Sequence, residues 1–512
     1  MSKLTVYLNF NYFKDRLVHF NGTVVIMNNK TLKQKAVSGM VWSAFQRYST
    51  MIISFISGII LARLLTPHDY GCIGMLSIFM VLAESFIDGG FGSALIQKKQ
   101  PTQEDYSTIF FWNLGMAVLL YAVLYFSAPA IARFYNIPLL CDVLRVQGVI
   151  LFIYAFNIVQ RNQLRKKMNF KVLSIVTISS SITSLTITII MAYHGYGVWS
   201  LVAQHILIAA IPALVFWFHI KWRPLWVFSW KSFRELFNFG FYMFMTHLVN
   251  SFNQQIRGLL IGKFYNTSIL GYYSKAYGTE KLASQSISQI LNQVTYPLYA
   301  EIQDDRNHMA MIIKRLSSLV AYLTFPLMFL LILIARPLFI LLYSDRWIES
   351  IPFFQIVCLA GLGVCLQSVN LQTISAIGKS RTMFIWSLVK QTIGLGLAVG
   401  GLLIFDIYGL LWGVVVHSFS CALINMWLVS KHIGYKTISQ LKDLLPIMIV
   451  TIIAFVISSI VTGMMDWGLY ADGLLKLVIF GAIYIGWSLI FKPTSYTYIS
   501  EIVISKIKPK KR

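Results

Sequence analysis

This chain predicts an all-α polytopic membrane protein. It should have about 14 transmembrane helices, arranged as two pseudo-symmetric six-helix lobes plus two C-terminal helices. Three observations lead there. Of 512 residues, 57% are hydrophobic and only 12% are charged, about half the charged share of an ordinary soluble chain. Apolar stretches of about 20 residues, enough at ~1.5 Å per residue to cross the hydrocarbon core, recur along the sequence. Lys and Arg gather in every second connection, the mark of alternate loops held on the cytoplasmic side.

The spans fall at 39–64, 71–96, 106–129, 144–163, 172–193, 197–219, 236–262, 268–298, 314–343, 351–376, 381–405, 408–430, 443–464 and 473–491. One side collects Lys30, Lys33, Lys35, Lys98, Lys99, Arg161, Arg165, Lys166, Lys167, Lys171, Lys221, Arg223, Lys231 and Arg234. It continues through Arg306, Lys314, Arg315, Lys379, Arg381, Lys431, Lys436 and Lys442 to the basic tail. The other side offers Arg133, Lys263 and Arg346, with Arg63 and Arg336 near helix ends. Both termini are therefore expected in the cytoplasm. This placement also accounts for the net charge of +24 without nucleic-acid binding, because no basic soluble domain remains.

Residues 1–26 contain no continuous apolar run of the signal-peptide kind. Met27 opens MNNKTLKQKAVSGMVWSAF, which reads as the start of a membrane protein, so 1–26 are expected to be a non-native leader or disordered. The first lobe then spans 27–220 (helices 1–6). A basic, Trp-rich linker, expected to lie at the membrane interface, spans 221–235. The second lobe spans 236–432 (helices 7–12), and 433–512 hold helices 13 and 14 and a basic cytoplasmic tail. Cys72, Cys141, Cys358, Cys365 and Cys421 form no CxxC pair and read as small buried hydrophobes. They suggest neither a disulfide framework nor a metal site.

An internal repeat supports two lobes of the same orientation. Gly58-Ile-Ile-Leu-Ala-Arg63 recurs as Gly258-Leu-Leu-Ile-Gly-Lys263. At the same offset of 200 residues, Gly71 meets Gly271 and Leu82-Ala83 meets Leu282-Ala283. Tyr196-Gly197 and His205 recur as Tyr408-Gly409 and His417.

Polar residues form stripes on the first two spans of each lobe. Ser43, Arg47, Thr50, Ser54 and Ser57 share one face of span 1, and His247, Asn250, Gln254 and Arg257 share one face of span 7. Span 2 carries Ser77, Glu84 and Asp88. Span 8 carries Ser274, Gly278, Lys281, Gln285, Ser288 and Asn292, with Lys275 and Glu280 nearby. Ionisable residues at such depth cost about 2.5–3.5 kcal/mol each to insert, and mark routes for ions or substrates. Single Ser and Asn residues are read as helix–helix glue. Arg47, Arg257, Lys275 and Lys281, with Asn250 and Gln254, are read as the wall of a shared cavity that attracts an anionic head group. Glu84, Asp88 and Glu280 either neutralise those bases or bind a coupling H⁺ or Na⁺. His205 and His417 read as packed groups, and Lys390 as paired or cavity-facing. No Walker motif, HExxH, nucleophile elbow, paired-carboxylate site or cofactor motif is visible. An ion gradient, the membrane potential or consumption of product must then supply the energy.

The stretches LARLLTPHDYGCIGM (61–75), FIDGGFGSALIQKK (86–99), KWRPLWVFSWKSFRELFNFG (221–240), LGYYSKAY (270–277) and TYPLYAEIQDDR (295–306) carry a resemblance. Collinear from about residue 30 to 440, the chain resembles the polysaccharide-transporter family, of the colanic-acid and teichuronic-acid exporter type. That family belongs to the multidrug/oligosaccharidyl-lipid/polysaccharide exporter superfamily. The resemblance implies a flippase in a bacterial inner membrane. It would move undecaprenyl-diphosphate-linked oligosaccharide repeat units by alternating access through a V-shaped cavity between two lobes, for surface or exopolysaccharide synthesis. A polysaccharide polymerase and chain-length machinery would act downstream. Lys275 falls where the related lipid II flippases carry an arginine; lysine keeps the charge and loses the bidentate fork.

Other classes fit less well. A cation-coupled drug antiporter of the same superfamily wants a net acidic cavity. A membrane polymerase or glycosyltransferase wants catalytic groups on a large outer loop, and no outer connection exceeds about 15 residues. A passive scramblase is a third alternative.

Overall fold

The computed structural model describes residues 29–301, 305–377, 379–464, 467–498 and 500, without the side chains of 29–37, 239, 242, 285–298, 300–301, 375 and 380–381. The expected leader, the tail beyond 500, and the side chains of Gln285, Ser288 and Asn292 lie outside the described residues. The chain is a polytopic helical membrane protein. In order, the helices are α1 (Asn29–Leu64), α2 (Pro67–Asp88), α3 (Phe91–Gln97), α4 (Gln103–Tyr135), α5 (Leu139–Gln147), α6 (Ile150–Lys166), α7 (Phe170–Tyr193) and α8 (Val198–His219). Then come α9 (Trp230–Phe264), α10 (Thr267–Glu301), α11 (Arg306–Leu333), α12 (Ala335–Tyr343), α13 (Ser350–Ala376), α14 (Ser380–Ile433), α15 (Thr437–Gly463) and α16 (Leu469–Phe491).

Among the described residues, these sixteen helices trace 14 crossings. Spans 2, 4 and 9 are each broken in two, and spans 11 and 12 run together as α14. The break between α2 and α3 is set by Gly89 and Gly90, whose φ values of +51° and +75° lie where L side chains are strained. The bend in α14 falls at Phe405 and Asp406, and Asp406 has φ +55°. Among the described residues, 11 helical stretches are long and apolar enough to cross a membrane. Two of the remaining crossings, α9 and α10, are long but too polar to meet that standard, and the last is hidden in the length of α14. α9 and α10 carry six of the expected site residues, Asn250, Gln254, Arg257, Lys275, Glu280 and Lys281, while Arg47, Glu84 and Asp88 lie on α1 and α2, which pass the apolar test.

Local chemistry fixes the starts of α2 and α4. Thr66 and Asp69 form a capping box at α2, and Thr102 and Asp105 form one at α4. Such reciprocal bonds satisfy two orphan N–H groups and stabilise a helix start by about 1 kcal/mol.

In the first half α1 lies along α7, α4 and α8 flank α6, and α7 packs on α8. In the second, α13 packs against α10, α11 and α14, while α15 and α16 stack outward from α11. The connection after α8 is strapped across the start of α4, where the Leu225 and Ser229 amides donate to Ser107 Oγ (3.0 Å) and Thr108 Oγ1 (3.1 Å). Trp226 and Trp230 project outward, as an interfacial belt requires. The end carrying the Lys/Arg-rich connections is called the basic end below, and the other the opposite end.

Candidate functional site

The two halves meet at a seam built from α2, α9 and α10. Along α2 the partners on α9 run antiparallel. Ser77 Oγ bonds Gln255 Oε1 at 2.9 Å, the Phe86 and Phe244 rings meet edge-on at 5.2 Å, and Gly90 abuts Gly240. A Cβ on Gly90 would lie 2.1 Å from the Gly240 carbonyl oxygen, so only a glycine allows the backbones this close. At the basic end Lys98 Nζ reaches Asp105 and Glu235, each at 3.0 Å. Burial alone would lower the Lys98 pKa, but hydrogen bonds to these two carboxylates carry it above the ordinary 10.5.

The opposite end is closed by contacts that recur when residue numbers shift by 200. Gly71 faces the Thr267 carbonyl, and Gly271 faces the Pro67 carbonyl; a Cβ at either would sit 1.9 Å from the oxygen. Arg63 donates to the carbonyls of Leu341 and Leu342 (the latter from Nε at 3.0 Å), in the last turn of α12. Lys263 donates to the Phe134 carbonyl at 2.9 Å, in the last turn of α4. Each cation thus meets the negative end of a helix in the other half.

Lys275 belongs to this closure. It is 8% exposed and its ammonium lies 4.1, 4.8 and 5.0 Å from the ring centres of Tyr70, Tyr343 and Trp347. It donates to the Gly58 carbonyl at 3.2 Å. Among the described residues no carboxylate pairs with it. Trp347 is held in turn by its indole N–H donating to the Ala62 carbonyl at 2.8 Å, and Tyr343 by a 3.0 Å bond to Thr279. The cage draws on α1, α2, α10 and α12 with the turn that follows it. Desolvated cation–ring contacts are worth about 2 kcal/mol each.

The other expected residues are scattered around the seam. Arg257 is half-buried beside Tyr273 and Tyr277. Lys281 lies 5.7 Å over the Tyr277 ring. Asn250 is half-buried and Gln254 exposed. Arg47 is exposed, as are Ser43 and Ser54, and α1 bonds the second half near its end, at Gly58, Ala62 and Arg63. Asp88 faces the backbone N–H groups of Gly90 and Gly92, so it caps the α2–α3 break. Glu280 is 4% exposed within the second half. Ser284 bonds it, and Oε1, beside Gly361 and Met328, has no partner. Glu84 faces into the first half, not the seam. Lys390 is paired with Asn425 at 3.0 Å. His205 contacts Gln147 at 3.3 Å, and His417 contacts the Lys390 carbonyl at 3.0 Å. The five cysteines are free, four of them buried and Cys141 half-buried.

Sequence reading missed Tyr70, Tyr343 and Trp347. An outer-loop Trp looks like an interfacial anchor, and nothing in the order of residues joins 70, 275 and 347. It also counted Arg161 with the basic loops, although Arg161 lines a cavity in the first half. The density of Gln147, Asn157, Gln160 and Asn162 in one span was the available signal.

Two helical halves that close on a polar seam at both ends define a polytopic membrane transporter. Residues 60–352, more than half of the chain, match the family model described as polysaccharide biosynthesis protein, and the chain belongs to that family. It is 25% identical over 439 residues to the teichuronic acid biosynthesis protein TuaB of Bacillus subtilis (strain 168), covering 84% of this chain and 90% of that one. It is 24% identical to the succinoglycan biosynthesis transport protein ExoT of Rhizobium meliloti (strain 1021), over 72% of this chain and 75% of that one. Its fold matches the lipid II flippase MurJ in an inward closed conformation, with TM-score 0.71, 16% identity, and coverage of 88% of this chain and 98% of that one. An inward-facing MATE multidrug transporter matches with TM-score 0.60, 13% identity, and coverage of 75% and 94%.

Proposed function

We propose that this protein flips undecaprenyl-diphosphate-linked oligosaccharide repeat units across a bacterial inner membrane, with both termini in the cytoplasm. The product would feed a polysaccharide polymerase and its chain-length partners. The observation that carries this reading is the double closure of one polar seam, by α2 against α9 toward the basic end and by α2 against α10 at the opposite end. Opening one closure while the other holds gives alternating access. A sugar chain cannot cross hydrocarbon without such a polar route. The exposed stripe on α1 leaves a side path beside Arg47, along which a prenyl tail stays in lipid while its diphosphate enters.

Lys275 is the proposed diphosphate ligand, in company with Arg257, Arg47 and Lys281, with Asn250 and Gln254 on the glycan side. In the closed state its charge is committed to the aromatic cage, so anion binding at Lys275 competes with closure of the opposite end. Glu280 is the proposed coupling group for H⁺ or Na⁺, because it is a buried carboxylate with an unsatisfied oxygen. Asp88 is occupied by its capping role.

The test is a deletion strain whose lipid-linked oligosaccharides are extracted and sized by mass spectrometry, with sidedness read from periplasmic glycan-degrading enzymes. Complete repeat units held on the cytoplasmic side support the reading. No accumulation favours a drug antiporter, and unpolymerised units on the periplasmic side favour a polymerase.

A further inference from the structure

A second cavity lies wholly within the first half, behind the seam. It occupies about 410 Å³ between α2, α5, α6, α7 and α8. At ~30 Å³ per molecule that is room for roughly 13 waters, or for a sugar ring and a few waters. We propose that it is a carbohydrate subsite that takes one neutral sugar of the transported glycan. This proposal rests on the flippase reading above.

Charge selects the class of ligand. Glu84 and Arg161 both line the cavity, and neither forms an ion pair among the described residues. A metal cation drawn by Glu84 would be repelled by Arg161, and an anion drawn by Arg161 would be repelled by Glu84. A neutral polyol meets both, donating hydroxyl hydrogens to the carboxylate and accepting from the guanidinium.

The amides point the same way. Gln147 is 4% exposed. Its Nε2 is engaged by His205 Nδ1 at 3.3 Å, while its Oε1 has no partner. Asn157 Oδ1 has none either. A buried acceptor left unmade costs about 1–3 kcal/mol, and a small rotation of either amide brings it to a hydroxyl in the cavity that both side chains line. Tyr154 adds an aromatic wall, the surface on which the apolar face of a sugar ring rests.

Position ties the cavity to transport. Ser77 lines it and also bonds Gln255 of α9 across the seam. The wall formed by α2 is therefore shared between the cavity and the seam.

The experiment uses the full chain in lipid nanodiscs and saturation-transfer NMR with glucose, galactose and N-acetylglucosamine up to tens of millimolar, a range that detects the ~1 mM affinity expected of a single ring. At least one sugar should bind. The Gln147→Ala, Asn157→Ala double variant should weaken it about 10-fold or more, a loss of about 1.4 kcal/mol. Ala209→Phe, which fills the cavity without removing a polar group, should abolish it. Both variants are checked for monodispersity and thermal stability, and Ala209→Phe stands as an independent test if the double variant fails to fold. No binding by the unsubstituted protein, or binding indifferent to both changes, would overturn the proposal. Flipping of lipid-linked oligosaccharide is measured in parallel. Flipping without sugar binding sinks the subsite and spares the flippase; sugar binding without flipping sinks the flippase reading and, with it, the assignment of the bound sugar to a transported glycan.

Discussion

Arg63 and Lys263 make the same contact from opposite halves. Each stands at the end of the first long helix of its half and donates to carbonyls in the last turn of a helix in the other, Arg63 to α12 and Lys263 to α4. The clasp is electrostatic and local, because cations at helix C-termini interact with the last-turn carbonyls by about 0.3–1 kcal/mol, and by up to ~2 kcal/mol when partly buried. Arg63→Ala and Lys263→Ala should each loosen the opposite end without unfolding the protein. Their effects should add, since they share no partner. Spin-label distances between α2 and α10 should lengthen stepwise from single to double variant. An unchanged distance in the double variant would remove the clasp from the gate.

Lys275 would serve the latch and the proposed phosphate site with one charge, and the choice of substitute tests that charge. Lys275→Met fills similar volume without charge, so it loses both the cage and any anion. Lys275→Arg keeps a cation that stacks on aromatic rings. Export should fall about 10-fold or more with Met at unchanged protein level, and be largely kept with Arg. Trp347→Phe keeps a ring but loses the bond to Ala62, which is worth about 1 kcal/mol. It should raise labelling of an introduced cysteine at the opposite end, with little effect on folding. Normal export by Lys275→Met would take the residue out of the mechanism.

Gly71 and Gly271 are where the halves touch backbone to backbone. A methyl group at either position meets a carbonyl oxygen 1.9 Å away, and a backbone cannot step aside as a side-chain tip can. Gly71→Ala and Gly271→Ala should each hold the opposite end ajar and depress transport. Gly58→Ala, with nothing within 4 Å of the new atom, is the matched control and should transport normally. Equal behaviour of all three would mean that this end never closes as described.

Much of this architecture was legible in the sequence because membrane insertion enforces it. Apolar length set the crossings, and the four polar stripes marked α1, α2, α9 and α10. The Gly71/Gly271 match at an offset of 200 residues turned out to be the point where the halves touch. What stayed hidden depends on three-dimensional closure. The cage around Lys275 joins residues more than 200 positions apart, and the cavity of Glu84 and Arg161 draws on five helices. The helix breaks at Gly148 and Ile334 were also invisible, since hydropathy does not register a turn that stays within the apolar run.

At the basic end, Lys98 offers a test in which two similar ion pairs should behave differently. The Asp105 side chain is 1% exposed and that of Glu235 58%. Removing the cation strands a buried carboxylate in one case and a solvated one in the other. Lys98→Met should lower the unfolding midpoint in detergent by several degrees, through about 1–3 kcal/mol for the Asp105 oxygen that loses its cation while the other keeps the Thr102 amide. Glu235→Gln should change it little, as exposed pairs contribute about 0–1 kcal/mol. The pH response follows from the raised Lys98 pKa. The stabilisation is complete below the unfolded value near 10.5 and is lost only as pH rises through the higher folded value. Closure of this end through Lys98 should therefore not weaken as pH rises to about 9. If transport falls off as pH rises to about 9 while the unfolding midpoint stays level, the titrating group lies elsewhere. If the midpoint instead falls across that range in the unsubstituted protein and not in Lys98→Met, the ion pairs drawn for Lys98 are wrong.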